Sequence, residues 1–286
     1  MPSTLKVTNT ADSGPGSLRY EIAQAQSNDT IVFDFGTGTV SKKAKSTPTP
    51  TPTPHTITLT SGELLINNNL TIQGPGAGLL TVTTGSNPYG NQPNGPSRIF
   101  EVDSGNVTLG GMTISNGNGQ SHYIVDPAFG WSPYDGTGGG VLNFGTLTIS
   151  GCTLSGNTAR VGGAQSFGGG AVANFGKLTV SGCTLSNNST QGGGGGIYNA
   201  LGGTLTVSGC TLSGNSVVTG INYGGGIINF GTLTVSNSTL SGNSASYGGG
   251  IANEGGTLTV SNSVFSANTP DNIEGPYTDG GGNTFK

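Results

Sequence analysis

The stretch "GGGIINFGTLTVSNSTLSGN", residues 224–243, decides the fold, because the chain writes it five times. It recurs as "GGGVLNFGTLTISGCTLSGN" (138–157), "GGGAVANFGKLTVSGCTLSNN" (168–188), "GGGIYNALGGTLTVSGCTLSGN" (194–215) and "GGGIANEGGTLTVSNSVFSAN" (248–268). The first Asn of each unit is Asn143, Asn174, Asn199, Asn229 or Asn253, so the steps are 31, 25, 30 and 24 residues. A constant unit with variable spacers is the pattern of a solenoid whose loops differ in length.

Within a unit, apolar residues alternate with period 2. In "TLTVS", Leu233 and Val235 face one way, and Thr232, Thr234 and Ser236 the other. "STLSGN" repeats the pattern with Ser238 and Leu240 inward, and Ile227 supplies a third inward group. Three short strands per unit, separated by Gly and Asn turns, predict an all-β fold: a single-stranded, right-handed parallel β-helix. Stacking then places like on like, about 4.8 Å apart. One predicted inward file is Leu147, Leu178, Leu205, Leu233, Leu258; another is Leu154, Leu185, Leu212, Leu240, Phe265.

Asn157, Asn188, Asn215, Asn243 and Asn268 close the third strand of each unit. Asn tolerates left-handed turns, and stacked amides can hydrogen-bond from coil to coil. The expectation is an asparagine ladder rather than a ligand site. Cys152, Cys183 and Cys210 share one inward repeat position. Their separations suit neither a metal site nor an in-register disulfide, so three free thiols are expected.

Composition narrows the function classes. Only 8% of the 286 residues are charged, against about 25% in ordinary soluble proteins. The net charge is -4 with no basic stripe, which argues against nucleic-acid binding. No apolar run approaches the roughly 18 residues of a spanning helix. The opening "MPSTLKVTNT" lacks the apolar core of a signal peptide.

Residues 1–36 read differently, as strand, helix and strand. The segment 16–26 predicts a short helix with Ser17 as N-cap and Leu18, Ile22 and Ala25 on one face, a cap over the open end of the solenoid. Arg19 and Glu21 then read as solvated helix residues. The Thr-Pro-rich stretch 40–55 predicts an exposed, extended insertion, and coils resume from residue 56 to 286.

"VTNTADSGPGSLRYEI", "DTIVFD" and "ITLTSGELLINNNLTIQGPG" together resemble the start of large bacterial secreted repeat proteins. In those, a "CSLREA"-type segment precedes a pectin-lyase-like β-helix. The later "GGGI" and "FSAN" resemble the GGAI and FxxN repeats of chlamydial polymorphic outer membrane proteins. The resemblance covers almost the whole chain. It implies a secreted or surface-associated parent protein, although Gly16 replaces the family's Cys and no signal, barrel or sorting anchor is recognised.

Catalytic constellations are not legible. Between residues 138 and 268 the charged residues are Arg160, Lys177 and Glu254, at three different repeat positions. Lyase chemistry needs clustered carboxylates with a base, and glycosidases need a carboxylate pair. His55 and His122 lack a Ser or Cys partner at a suggestive spacing. No metal or cofactor is expected. The excursion 119–136, within the 117–137 loop, holds His122, Tyr123, Asp126, Phe129, Trp131, Tyr134 and Asp135. Aromatic faces beside carboxylates suit a glycan, while the plainer reading is a loop packed over the coil. Thr146/Thr148, Thr204/Thr206, Thr232/Thr234 and Thr257/Thr259 form outward Thr-x-Thr columns, broken by Lys177, that resemble those of ice-binding proteins. Thr is also a favoured outward strand residue. The leading expectation is a non-enzymatic extracellular or cell-surface domain, structural or adhesive, whose partner is a surface glycan or another envelope protein. A carbohydrate-active β-helix using the 117–137 loop and an ice-binding solenoid are the alternatives.

Overall fold

A computed structural model describes residues 1–36, 52–85, 97–119, 136–160, 167–218 and 222–286. It opens with strand β1 (Thr4–Val7), helix α1 (Leu18–Gln24) and strand β2 (Asp29–Phe33). From His55–Leu59 onward the described elements are all short strands. One coil passes through Val141–Asn143, Thr146–Ser150, Thr153–Ser155 and Thr158–Ala159. The next repeats the path through Val172–Asn174, Lys177–Ser181, Thr184–Ser186 and Ser189–Thr190. Equivalent strands pair in parallel, giving sheets of eight, ten, nine and three strands, in the order the coil visits them. The chain is a right-handed parallel β-helix. β1 and β2 are the first two strands of the ten-stranded sheet. The predicted three strands per unit gain a fourth, two residues long, which pairs just before the Gly corner.

Both predicted leucine files stack in register. All their members are buried. Each buried Leu contributes about 2 kcal/mol, but only with the coils above and below in place.

Two asparagine ladders run beside this core. In the first, Asn143 Nδ2 donates to Asn174 Oδ1 at 2.7 Å, and Asn174, Asn199 and Asn229 each donate onward to the next Asn. In the second, Asn157, Asn188, Asn215 and Asn243 each donate to the following amide oxygen at 2.9 Å. That oxygen also accepts the backbone N–H of the preceding rung, so every rung is tied twice. Val102 stands in register ahead of Asn143, which leaves Asn143 Oδ1 as the end of the first ladder, without a donor among the described residues.

The left-handed residue at the third-strand corner is not the ladder Asn, as its tolerance of such turns suggested. It is the residue before: Gly156, Asn187, Gly214, Gly242 and Ala267, with φ between 53° and 64°. Gly or Asn stands there in four of the five units because both reach positive φ cheaply; Ala267 does not. The ladder Asn itself turns its amide into the wall.

The helix forms as expected, with Ser17 Oγ accepting from Tyr20 N and Leu18 fully buried. Arg19 departs from expectation. It donates to Asp12 Oδ1 at 2.8 Å and to the carbonyls of Gly62 and Glu63 at 2.7 Å, tying the helix to the first described coil. Asp12 Oδ2 accepts from Thr60 N and Oγ1 on the same turn. The guanidinium is a latch rather than a solvated charge.

Cys152, Cys183 and Cys210 are free and buried, as expected. Each sulfur is also a rung. Cys183 Sγ accepts Cys152 N–H at 3.3 Å, Cys210 Sγ accepts Cys183 N–H, and Ser238 Oγ then accepts Cys210 N–H. Ser takes over from Cys at Ser238 and Ser263 in this file, since both accept that N–H. The neighbouring Cys152 thiol pushes Cys183 up to about 11, with burial adding to it.

Candidate functional site: an outward hydroxyl grid

Strand register places outward side chains in files along the axis. The central file of the ten-stranded sheet is Thr4, Thr30, Thr71, Thr108, Thr148, Thr179, Thr206, Thr234, Thr259 and Thr278. Every strand of that sheet supplies one. On one side the flanking file reads Asn106, Thr146, Lys177, Thr204, Thr232, Thr257, and on the other Gly110, Ser150, Ser181, Ser208, Ser236, Ser261. The outward Thr pairs expected from the repeats are therefore brought together on one face, and Lys177 interrupts a flanking file, not the central one.

Thr4, Thr30, Thr71, Thr108 and Thr278 extend this file beyond the Thr pairs, and Thr179 joins it from the repeat in which Lys177 replaces the partner Thr. The strands at the two ends of the sheet, "TLKV", "DTIVF", "LTIQ", "NVTLG" and "TD", do not carry the repeat, so their register could not be aligned by motif. Only pairing shows that each keeps Thr at the same step. None of the ten hydroxyls hydrogen-bonds to protein within the described residues, whereas Thr113 on the adjacent nine-stranded sheet donates to Ala77 O.

Spacing within the grid follows from geometry. Neighbours along a file are about 4.8 Å apart, and neighbours across files, two residues on, about 7 Å. Parallel sheets normally twist, and side-chain ladders are what holds a sheet flat. Here the two asparagine ladders and the Cys/Ser file lock each coil in register with the next.

The outer side of the eight-stranded sheet is apolar instead. Leu142, Ala173, Tyr198, Ile228 and Ala252 point away from the coil yet are buried, with Phe144, Phe175 and Phe230 packed beside them. Tyr198 and Phe230 rings lie 5.6 Å apart, and burial pushes the Tyr198 hydroxyl up to about 12.

The other expected site cannot be placed. His122, Tyr123, Asp126, Phe129, Trp131, Tyr134 and Asp135 all lie outside the described residues, as do residues 40–51 of the Thr-Pro insertion. His55 begins a strand and packs its ring 4.1 Å from Phe35. Arg160, Lys177 and Glu254 fall after the fourth strand, at the start of the ten-stranded sheet's rung, and in the turn before it. Among the described residues, no three His, Cys, Asp or Glu side chains converge as metal ligands. Among the same residues, no helix is long and apolar enough to cross a membrane. No family model matches the chain, and no curated protein matches it.

Proposed function

We propose that the chain is a non-enzymatic, extracellular β-helix scaffold of the pectin-lyase-like kind, serving as a stalk or adhesive element of a cell envelope. The observation that supports this is how the repeat spends its polar residues. Asn, Cys and Ser at the inward recurring positions bond to the neighbouring coil rather than gathering into a constellation. A secreted-repeat origin fits the helix formed by "SLRYEI" and the placing of "GGGI" and "FSAN" at corner and third strand. Gly16, where that family carries Cys, has φ 79°, and a Cβ there would collide with Thr8 Oγ1, so this cap has adapted to Gly.

The partner would be a surface glycan or another envelope protein. The test is retention of the purified chain on immobilised glycans and on whole bacterial cells, alongside incubation with polygalacturonate and neutral β-glucans. The scaffold reading expects saturable retention with no release of unsaturated uronides or reducing ends. Release that scales with protein concentration would replace it with the lyase or hydrolase reading.

A further inference from the structure

We propose that the outer face of the ten-stranded sheet binds ice. The face is a two-dimensional hydroxyl grid rather than a single row. Three consecutive coils carry Thr in two files and Ser in the third: Thr204/Thr206/Ser208, Thr232/Thr234/Ser236 and Thr257/Thr259/Ser261. A spacing of about 4.8 Å along the file lies close to a repeat of the hexagonal ice lattice, and the central file repeats it over ten strands, four of which carry hydroxyls in all three files.

The energetics demand such a grid. One protein hydroxyl trading liquid water for ice gains almost nothing, since it is hydrogen-bonded in both states. Only many matched hydroxyls, held without further loss of conformational freedom, sum to useful adsorption. The sheet supplies that rigidity, because the ladders inside fix the rungs on which the hydroxyls stand. Threonine adds a methyl beside each hydroxyl, and β-branching limits its rotamers.

Two observations separate this face from the general liking of strands for Thr. First, the face is wider: coils that set hydroxyls in three outward files here, as at Thr204, Thr206 and Ser208, set them in only two on the adjacent nine-stranded sheet, as at Thr211 and Ser213. Second, the face is almost uncharged. Lys177 is exposed in one flanking file, and Lys6, at the first strand, is paired with Asp34 at 3.1 Å. The adjacent nine-stranded sheet carries a narrower array, one Thr file of Thr56, Thr81, Thr113, Thr153, Thr184, Thr211 and Thr239, interrupted by Val264 before Thr284, beside one mostly Ser file. It is the internal control.

The experiment uses the full chain, measuring thermal hysteresis, ice-crystal shaping and partition into a growing ice hemisphere. The wild type should shape ice and enter it. Thr206→Tyr and Thr234→Tyr, at the centre of the grid, should each lower hysteresis about fivefold or more. Lys177→Thr, which completes the flanking file, should raise it about twofold. Thr211→Tyr on the adjacent sheet should leave it unchanged. Far-ultraviolet circular dichroism melts verify that each variant is folded, and Lys177→Thr tests the claim by a gain that misfolding cannot imitate. Absence of ice shaping by the folded wild type would overturn the proposal. So would equal losses from Thr206→Tyr and Thr211→Tyr, or sedimentation showing that the grid is the interface of a dimer. The scaffold reading survives any of these results.

Discussion

At the scale of the residue, the repeat is a set of positions with one physical requirement each. The thiol file needs an acceptor for the previous coil's N–H. Cys183→Ser keeps that acceptor and should shift stability by less than about 0.5 kcal/mol, whereas Cys183→Ala orphans Cys152 N–H and should cost about 1–3 kcal/mol. Urea unfolding midpoints separate the two; equal effects would mean the sulfur only fills space. The corner before the second ladder needs positive φ. Ala267 holds φ 53° where the other units have Gly or Asn. Ala267→Gly should therefore stabilise by about 1 kcal/mol in the same assay, despite the greater freedom of Gly when unfolded. Period-2 alternation made the inward and outward assignments legible from sequence. It could not say that the Asn amide turns inward while its predecessor takes the left-handed turn, because Asn suits both roles.

At the scale of the element, the N-terminal helix is held by a latch between segments far apart in sequence. Burial alone would raise the Asp12 carboxyl, but hydrogen bonds from Ser61, Arg19 and Thr60 outweigh it and hold it below its ordinary value of 3.8. A lowered folded value means the stabilisation is complete above the unfolded value and fades as pH falls through the folded one. The helix should stay protected from hydrogen exchange at neutral pH and loosen below about pH 4, ahead of the central coils. Asp12→Asn should loosen it at neutral pH and flatten this dependence. A profile unchanged by the substitution would assign the acid sensitivity elsewhere. The helix itself was legible, because Ser17 and the apolar spacing of Leu18, Ile22 and Ala25 are local signals. The latch was not, since Arg19 meets Gly62 and Glu63 across more than forty residues. The central Thr file escaped for the same reason: Thr30, Thr71 and Thr108 are aligned by pairing, not by motif.

At the scale of the whole molecule, the coils cohere through nearest neighbours. Core files, amide ladders and the hydroxyl grid all run along the axis, and each of the five repeat coils contributes one residue to each amide ladder. Such a molecule behaves as a one-dimensional stack, in which stability is a sum over coils and their interfaces. The inward positions of the repeat are then scaffold, and its outward positions are free to differ. This claim is tested most directly by removing one coil without disturbing the phase of the rest. Deleting residues 183–209 joins Gly182 to Cys210, an excision of the 27 residues that separate equivalent cysteines. The shortened chain should remain folded, with the β-sheet circular dichroism spectrum retained and the scattering length reduced by about 4.8 Å. Deleting only 183–196, which breaks the phase, should unfold the neighbouring coils. An unfolded chain after the in-phase deletion, or a folded one after the out-of-phase deletion, would contradict the account.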